Sequence, residues 1–485
     1  MSELTAEQFT QRAFDLELLD ERCRREIYNE IGGPDVPLDD LTQFLLRRNF
    51  LTPYQLDRLL KGEATGFYYG RNKILYFVGS GTFARVYRAV NQENGQVVAI
   101  KVLRQRYSND PDKVTSFKRE GEVGATLRHQ NIVSVYEVGS QRGSHFMAME
   151  FIEGPNLRDF LKMRKKLDPL QSTILAADIA RGLDYAFRRG ISHRDLKASN
   201  VLVSSVGQAK IVDFGLAGAD PDLSDEALAD LDNPRTIDYA ALERATGVRK
   251  DDARSDVYFL GCIYYNMLAG VPPLQETRDR LQRLSKTRFT SVIPLGDIAP
   301  DVPKIVVKVV GKAIELEPNA RYQTPGDLLN DLTMLLRRLK ENTSDVESLA
   351  ELATGPTYKL RTVMVVESST PLQDKFRDLF KSNGFRVLVT SDPHRPAISF
   401  NEGEKGADCV VFSTSDLEEE ALESFNRFGE DPLTREIPAI LLMGPKHTSW
   451  AERANVADHR VTLTTPIRVK ELRATLDRLV PLVAL

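Results

Sequence analysis

The side chains whose types and spacing could do chemistry lie in two short stretches of the sequence. Residues 191–200 read Ile-Ser-His-Arg-Asp-Leu-Lys-Ala-Ser-Asn and contain Asp195, Lys197 and Asn200. The second stretch reads Ile-Val-Asp-Phe-Gly and contains Asp213. Carboxylate and amide oxygens are ligands that Mg²⁺ prefers, so an Asp and an Asn could hold the ion while another Asp accepts a proton. The sequence therefore predicts a magnesium site with a general base beside it.

Two short apolar runs would position these side chains. Residues 201–203 and 210–212 read as strands, and a turn at Val206-Gly207 separates them. Asn200 precedes the first strand and Asp213 follows the second. A hairpin would therefore bring the amide and the carboxylate to the same end.

Both stretches resemble the catalytic loop and the metal-binding triplet of the protein kinases, H-R-D-L-x-x-x-N and D-F-G, in that family's order. The resemblance implies a bilobal α+β kinase fold and the use of ATP. Asp195 would accept or orient a substrate hydroxyl, and Lys197 would neutralise the transferred phosphoryl group. Asn200 and Asp213 would hold Mg²⁺, with Mn²⁺ as an alternative ion. Lys197 and Thr236 are typical of the members that phosphorylate serine and threonine.

Residues 77–86, Phe-Val-Gly-Ser-Gly-Thr-Phe-Ala-Arg-Val, match the family's glycine-rich loop with one departure. Gly79 and Gly81 flank Ser80, and their missing side chains let the backbone approach phosphate oxygens. Ala84 stands at the third glycine position. It keeps the backbone donor and adds one methyl group, so we expect a stiffer loop that still binds nucleotide.

Lys101 follows this loop in the strand pattern Val-Ala-Ile-Lys, where the resemblance has it contact the ATP phosphates. Glu120 is its expected ion-pair partner on the next helix, and Glu122 is the competing candidate. The same helix contains Gly121 and Gly124, each of which costs about 1 kcal/mol relative to Ala. We therefore expect a mobile helix that could serve as a control point.

Residues 147–154, Met-Ala-Met-Glu-Phe-Ile-Glu-Gly, resemble the hinge between the two kinase lobes. Met149 would stand behind the adenine, and the backbones of Glu150 and Ile152 would hydrogen-bond the base. Apolar contacts to the adenine would come from Val86, Ala99 and Leu202. Each of these apolar side chains is equally compatible with an ordinary core position.

The activation segment implied by the resemblance runs over residues 213–243 and ends in Ala-Leu-Glu in place of the family's Ala-Pro-Glu. The family pairs the final acid, here Glu243, with Arg321. Asp256 resembles the acid that holds the backbone of the catalytic loop, and an ordinary acid at the start of a helix is the alternative.

The part of this segment between Gly215 and Thr236 is acidic. Its carboxylates come from Asp220, Asp222, Asp225, Glu226, Asp230 and Asp232. Three interpretations of this segment stay open. Ser224 could be a phosphorylation site that pairs with Arg194, a carboxylate could already make that pair, or the loop could be mobile and solvated.

Composition limits the other classes of function. The chain has 485 residues, enough for about three domains. Its 65 basic and 69 acidic residues leave a net charge of −4, which argues against nucleic-acid or membrane-surface binding. Cys23, Cys262 and Cys409 have no metal-site spacing. Without a signal peptide or a membrane-length apolar run, we expect a reduced, cytoplasmic protein; residues 257–270 read as a buried helix.

The N-terminal residues 1–66 read as a small all-α module. Thr5-Ala-Glu-Gln forms a capping box, and Thr52-Pro-Tyr-Gln provides a cap, a first-turn proline and a glutamine at the third position. The Leu-Thr-Pro-Tyr-Gln pattern before a kinase domain resembles planctomycete-type bacterial kinases. Substrate docking and stabilisation of the small lobe remain alternative roles for the module.

Residues 341–360 read as a linker between the kinase domain, residues 67–340, and a C-terminal domain, residues 361–485. The C-terminal domain alternates short apolar strands with helical patterns, which predicts a doubly wound parallel α/β sheet. Predicted strands cover residues 362–366, 386–389, 408–412, 438–443 and 461–463. Predicted helices cover residues 372–380, 417–428 and 469–479, with a weaker one between.

This alternation resembles the receiver domain of bacterial two-component systems, without its chemical residues. The positions of the metal-binding acids hold Glu367 and Ser368, and the phosphoacceptor position holds Ser413. Met443 and Thr465 replace the switch hydroxyl and the lysine. A shifted register would make Asp416 the acceptor. We expect a degenerate receiver-like domain that acts through contacts, with itself or with a partner.

The sequence as a whole predicts a bacterial, eukaryotic-like Ser/Thr kinase that transfers the γ-phosphoryl group of MgATP to protein hydroxyls. A pseudokinase scaffold or signalling adaptor is the alternative, although none of the expected catalytic residues is missing. A phosphorelay response regulator would need the receiver acid, which the sequence lacks.

Overall fold

The computed structural model describes residues 5–32, 36–214, 234–249, 252–274, 277, 279–341, 361–382, 385–401, 407–466 and 469–480. The chain falls into two compact units. The first comprises Met1–Gly79, Tyr87–Gln96 and Leu360–Ala484, and the second comprises Ser80–Val86 and Val97–Lys359. The domain boundaries given above stay predictions.

The described helices are α1 (Ala6–Asp15), α2 (Glu21–Ile31), α3 (Leu38–Arg47), α4 (Pro53–Leu60), α5 (Pro111–Thr126), α6 (Leu157–Arg164), α7 (Pro169–Phe187), α8 (Pro234–Thr246), α9 (Ala253–Ala269), α10 (Arg280–Arg283), α11 (Thr287–Thr290), α12 (Leu295–Ile298), α13 (Lys304–Ala313), α14 (Pro325–Glu341), α15 (Thr370–Ser382), α16 (Arg395–Asn401), α17 (Glu418–Glu430) and α18 (Val469–Leu479). Short 3₁₀ turns cover Gln105–Tyr107, Ala198–Asn200 and Pro445–Glu452.

The described strands are β1 (Tyr68–Tyr69), β2 (Asn72–Ser80), β3 (Ala84–Asn91), β4 (Val97–Leu103), β5 (Val135–Gln141), β6 (Ser144–Glu150), β7 (Val201–Val203), β8 (Ala209–Ile211), β9 (Thr362–Val366), β10 (Arg386–Thr390), β11 (Cys409–Ser413), β12 (Ala439–Met443) and β13 (Arg460–Thr464).

Two of the N-terminal helices, α1 and α4, begin at the caps that the sequence predicts. Thr5 forms a capping box at α1, and Thr52 forms one at α4 with Gln55. The apolar faces of the helices share one core with Leu51 and Phe67. Thr52 Oγ1 and the buried Gln55 Nε2 also donate hydrogen bonds of 2.6 Å to backbone carbonyls of β2. These bonds fix α4 directly to a strand.

In the second unit, strands β4, β6 and β5 pair antiparallel in that order. The register places Lys101 opposite Met147 and Met147 opposite Val138. Directly opposed residues of neighbouring strands share a face of the sheet. Helix α5 lies against β5.

The largest core of the second unit is helical. Helix α9 is almost fully buried, including Tyr258, Tyr264 and Tyr265, as the apolar run over residues 257–270 predicts. Asp252 caps its N-terminus, and Gly270 ends it in the left-handed conformation at φ +76°. Helix α7 and the β7–β8 hairpin share this core.

Residues 361–480 contain a five-stranded parallel sheet in the order β10-β9-β11-β12-β13. The strands lie within two residues of their predicted bounds. Alternate side chains face opposite cores: Met364 and Val366 lie with α17, and Val363 and Val365 lie with α15 and α18. The sheet is therefore covered by helices on both faces, as expected for a doubly wound arrangement.

Candidate active site

The first turn of α9 supports the backbone of the predicted catalytic loop, residues 191–200, through hydrogen bonds. Asp256 Oδ2 accepts a 2.7 Å hydrogen bond from the backbone N–H of His193, and its Oδ1 accepts one of 3.1 Å from Arg194. Arg194 has φ +65°, a conformation that side chains other than glycine rarely adopt. The carboxylate of Asp256 thus supports a backbone turn that has little intrinsic preference for its shape.

Tyr239 on α8 is a supporting residue that the sequence reasoning missed. Its hydroxyl donates to Asp256 Oδ1 at 2.7 Å and accepts from the backbone N–H of Leu196 at 3.2 Å. Its ring stacks on Phe259. A buried tyrosine hydroxyl needs partners, but nothing in a lone Tyr of the sequence indicates which ones.

The predicted base is buried and fixed by its neighbours. Asp195 is only 2% exposed, and its Oδ2 accepts 2.7 Å and 2.9 Å hydrogen bonds from Lys197 Nζ and Asn200 Nδ2. Asn200 Nδ2 also donates to the Asp195 backbone carbonyl at 3.0 Å. The structure therefore brings together the three polar residues that the sequence singles out in this loop.

The predicted β7–β8 hairpin forms, with Val201 opposite Ile211, and its second strand covers Ala209–Ile211 where the sequence predicts residues 210–212. The backbone N–H of Val212 donates to the Asn200 carbonyl at 3.0 Å, so Asn200 and Asp213 lie at the same end. Asp213 has φ +62°. The hairpin prediction is confirmed.

Lys101 bridges two carboxylates that are far apart in the sequence. Its Nζ lies 2.6 Å from Glu120 Oε1 and 2.8 Å from Asp213 Oδ1. Glu120 is buried and Glu122 is exposed, so the structure assigns the ion pair to Glu120. The competing candidate lies about 200° around the helix, because each residue of an α-helix advances by about 100°.

The Lys101 ammonium has different net effects on the two carboxylates, because the pKa of Glu120 is raised and that of Asp213 is lowered. Burial raises the pKa of Glu120 to about 7 in spite of the nearby ammonium. Burial also opposes ionisation of Asp213, but the charge and hydrogen bond of Lys101 outweigh it and hold the pKa of Asp213 below its usual value. Burial disfavours the Lys101 ammonium, and the two carboxylates more than compensate, so the pKa of Lys101 is raised. One cation thus serves two acids.

The donor set at the hairpin fits a divalent ion that also binds phosphate. Both described hydrogen bonds of the Asn200 side chain use its amide nitrogen, which leaves its carbonyl oxygen as the atom suited to a metal. Asp213 supplies a carboxylate. Within the described ranges, no group of three or more His, Cys, Asp or Glu could hold a metal alone. Mg²⁺ commonly binds through one or two protein ligands plus substrate phosphates, and this pair matches that pattern.

The predicted adenine contacts belong to one apolar cluster. Ala99 and Met149 are buried in it, and Val86, Ile152 and Leu202 pack against it. The side chain of Glu150, for which only a backbone role was expected, binds Lys210 Nζ at 2.7 Å and the Ser134 N–H at 3.3 Å. These contacts tie the hinge strand to the β7–β8 hairpin.

A cavity of about 20 Å³, enough for one water, lies beside this cluster. Its walls include Glu120, Gly124, Val135, Met149 and Phe214. A larger cavity of about 500 Å³ is lined elsewhere, by residues 246–249, 252, 254 and 317–319, and contains none of the predicted site residues.

The glycines of the phosphate loop are not required by packing within the protein. A methyl group on Gly79 would have no neighbour within 4 Å among the described residues, and one on Gly81 would lie 3.6 Å from the Ala84 carbonyl. The Gly81 N–H donates to that same carbonyl at 2.9 Å. Ser80 Oγ accepts a 2.5 Å hydrogen bond from Arg104 Nη2, a partner with no sequence signal.

The structure describes residues 213–214 and 234–243 of the predicted activation segment. Ser224 and the acidic stretch lie outside the described residues, and so does any partner there for Arg194. Thr236 lies on α8, where its side chain is not described. Arg321 donates to the carbonyls of Arg254, Glu315 and Leu316, and its pairing with Glu243 stays a prediction.

The model of the protein kinase domain family matches residues 73–331, more than half of the chain. The chain belongs to the protein kinase family. The matched region contains the predicted site residues on β2–β8 and α5. The described part of the chain includes no helix with the length and apolarity needed to cross a bilayer.

Curated relatives match the same region. A probable serine/threonine-protein kinase of Clostridium perfringens is 31% identical over 54% of this chain and 38% of its own length. Serine/threonine-protein kinase PknB of Mycolicibacterium smegmatis is 32% identical over 58% of this chain and 43% of its own. PrkC of Bacillus subtilis is 30% identical over 54% and 40%. The chain thus spans about two fifths of the length of these relatives.

Proposed function

We propose that this chain transfers the γ-phosphoryl group of MgATP to serine or threonine hydroxyls of protein substrates. The observation that carries the proposal is the position of Lys101 Nζ, within 2.8 Å of both Glu120 and Asp213. A lysine held between these two acids can bind phosphate oxygens while Asp213 binds the metal. The curated relatives are named serine/threonine kinases, which supports the same class of acceptor.

Asp195 is the residue that accepts or orients the proton of the substrate hydroxyl. Its carboxylate is buried and its Oδ2 is fixed by Lys197 and Asn200, so it needs little reorganisation when a hydroxyl approaches. Lys197 keeps part of its side chain exposed and neutralises charge on the transferred group. Reactions of this kind depend mainly on positioning and electrostatic stabilisation.

Asn200 and Asp213 are the residues that would hold the divalent ion. Mg²⁺, or Mn²⁺ in its place, would shield the negative charge of the phosphates. Gly79, Ser80 and Gly81 would lie over the phosphates. The adenine would contact the apolar cluster of Ala99 and Met149, with the hinge backbones of Glu150 and Ile152 as hydrogen-bonding partners.

The C-terminal residues 361–485 are proposed to be a receiver-like domain that acts by binding a partner or a second copy of the chain. The sheet order β10-β9-β11-β12-β13 supports this, because it corresponds to the 2-1-3-4-5 order of flavodoxin-like folds. Glu367, Ser413 and Met443 lie at the carboxyl ends of its strands, where such folds carry their sites. The N-terminal helices are proposed to stabilise β2, and their sequence pattern supports a planctomycete-type kinase.

The test is transfer of radiolabelled phosphate from MgATP to the protein itself and to a generic Ser/Thr substrate. Asp195→Asn and Lys101→Met should each lower the rate by at least a hundredfold and leave the unfolding midpoint near that of the parent. Matched controls are Asp57→Asn and Lys61→Met, which break an exposed ion pair on α4. Wild-type rates in Asp195→Asn and Lys101→Met would show that the site is wrongly assigned.

A further inference from the structure

Helix α5, which carries Glu120, contains two glycines where helix stability favours almost any other residue. Gly121 and Gly124 are three positions apart and lie on one face of the helix. Both are buried. Some tertiary contact must therefore compensate for the weakened helix.

That contact is with two valines of β5. A methyl group on Gly121 would lie 2.6 Å from Val138 Cγ2 and 3.3 Å from Met147 Cε. A methyl group on Gly124 would lie 2.8 Å from Val135 Cγ2. Valine is branched at Cβ and restricted at χ1, so neither side chain can turn away easily. The backbone of the helix thus rests directly on the strand.

The strand register connects these contacts to the site. Lys101 is opposite Met147, and Met147 is opposite Val138, on which Gly121 rests. This row of directly opposed residues across β4, β6 and β5 therefore has Lys101 at one end. At its other end is Val138, the residue of β5 that α5 contacts. The position of the helix is set relative to the same row that holds the partner of Glu120.

Gly124 contacts the end of a second row of opposed residues, which neighbours the first on the same face of the sheet. Ala99 is opposite Met149, and Met149 is opposite Val135, on which Gly124 rests. This row contains two of the predicted adenine contacts. Contacts at two neighbouring rows determine both how closely α5 approaches β5, which we call its depth, and how the helix is tilted. A single contact would determine the depth alone.

We propose that Gly121 and Gly124 are positioning residues that set the depth of α5 on β5 and thereby keep Glu120 within ion-pair distance of Lys101. Both glycines face the valines of β5, so each acts through the position of the helix. Their effect passes through the Glu120 carboxylate, which is next to Gly121 and 2.6 Å from Lys101. The inference rests on the proposed function, because it assigns the ion pair a role in phosphoryl transfer.

The experiment compares Gly121→Ala and Gly124→Ala in the full chain. Each added methyl group should push α5 outward and lower kcat at least tenfold, while KM for the protein substrate changes less than twofold. The matched control is Gly311→Ala on α13, where no atom of the described part of the chain lies within 4 Å of the added methyl group. This variant should keep the parent's kcat, because the same substitution is made in a helix with open space.

Rescue by a smaller side chain on β5 separates positioning from a general effect on the helix. Gly121→Ala combined with Val138→Ala, and Gly124→Ala combined with Val135→Ala, should return kcat to within threefold of the corresponding valine variant alone. If alanine acted only by stiffening the helix, the valine substitutions would restore nothing. Parent-like kcat in both alanine variants, or no recovery in both double variants, would overturn the proposal.

Hydrogen exchange of the α5 amides gives a readout that needs no turnover. Residues 111–126 should exchange faster in the two alanine variants and return toward the parent rate in the double variants. Unchanged exchange in the alanine variants would also overturn the proposal. If the parent protein does not transfer phosphate but the variants show this exchange pattern, the proposed function is refuted and the positioning role of the glycines is supported.

Discussion

At the scale of single residues, Lys101 forms ion pairs with two carboxylates that come from other elements of the chain. Lys101 lies on β4, Glu120 on α5 and Asp213 after β8, and all three meet within 2.8 Å contacts. Burial opposes ionisation of both carboxylates, and the Lys101 ammonium outweighs that effect at Asp213 but not at Glu120. The unequal division leaves Asp213 ionised for a metal and leaves Glu120 as the acid that protonates first as the pH falls.

This division predicts opposite effects of pH on activity and on stability. Burial raises the pKa of Glu120 from 4.5 to about 7, so between these values the folded protein holds a proton that the unfolded chain releases. The contribution of Glu120 to the free energy of unfolding should therefore fall as the pH rises through this window. Phosphoryl transfer should rise over the same window, because only ionised Glu120 pairs with Lys101.

Chemical unfolding between pH 5 and pH 8 checks the stability half of this prediction. Glu120→Gln should show a flatter pH dependence than the parent, and the exposed Glu122→Gln should keep the parent's slope. Rates of phosphoryl transfer at the same pH values check the other half. A parent whose rate does not change between pH 5.5 and pH 7.5 would contradict the prediction.

At the scale of elements, the first turn of α9 supports both the catalytic loop and α8. Asp256 accepts hydrogen bonds from the backbones of His193 and Arg194 and from the Tyr239 hydroxyl. Asp252, four residues earlier, caps the helix and pairs with Arg254. Two acids on one helix end therefore have separable tasks, and the same substitution can be made in both.

Asp256→Asn should destabilise the protein by about 1–3 kcal/mol, because a carboxylate that accepts three buried donors becomes an amide with one accepting oxygen. It should also lower kcat at least tenfold, since Arg194 loses support for its φ of +65°. Asp252→Asn should cost about 1 kcal/mol or less and leave kcat unchanged, because Asn keeps the helix cap and only the ion pair with Arg254 is lost. Urea unfolding and steady-state kinetics measure both effects; equal effects of the two substitutions would contradict this division of tasks.

At the scale of the whole molecule, residues 361–480 contain a parallel sheet whose proposed receiver positions hold Glu367, Ser413, Met443 and Thr465. Glu367 is buried, burial raises the pKa of its carboxyl group, and it is one acid where a receiver needs a pair. Ser413 Oγ donates to Ser415, and Thr465 Oγ1 donates to the Met443 carbonyl. These hydroxyls are used within the domain.

The full-length Lys101→Met variant, incubated with acetyl phosphate and Mg²⁺, should therefore gain no phosphoryl group that hydroxylamine removes. An acyl phosphate needs an aspartate nucleophile, a metal and a cation for the product, and restoring the first alone is insufficient. Ser413→Asp in the same background should also stay unlabelled. Intact-mass spectrometry provides the measurement, and an adduct on the exposed Asp416 or elsewhere in residues 361–485 would contradict the prediction.

The sequence by itself determined the elements and the inventory of the site. Capping boxes at Thr5 and Thr52, the hairpin before Asp213 and the strands of the C-terminal sheet all depend on neighbouring residues, so local patterns are sufficient to predict them. The ordered motifs also identified which residues to examine. Hydrogen-bonding caps and periodic burial act over a few residues, which is why the chain order carries this information.

Tertiary structure decided what depends on distant partners. Glu120 and Glu122 have the same chemistry, and only the packing of α5 buries one and exposes the other. Helix propensity predicted that Gly121 and Gly124 weaken this helix by about 1 kcal/mol each. The structure shows them against the valines of β5, where a methyl group has no room. Local energetics cannot reveal this, because the contact joins a helix and a strand whose approach the whole fold sets.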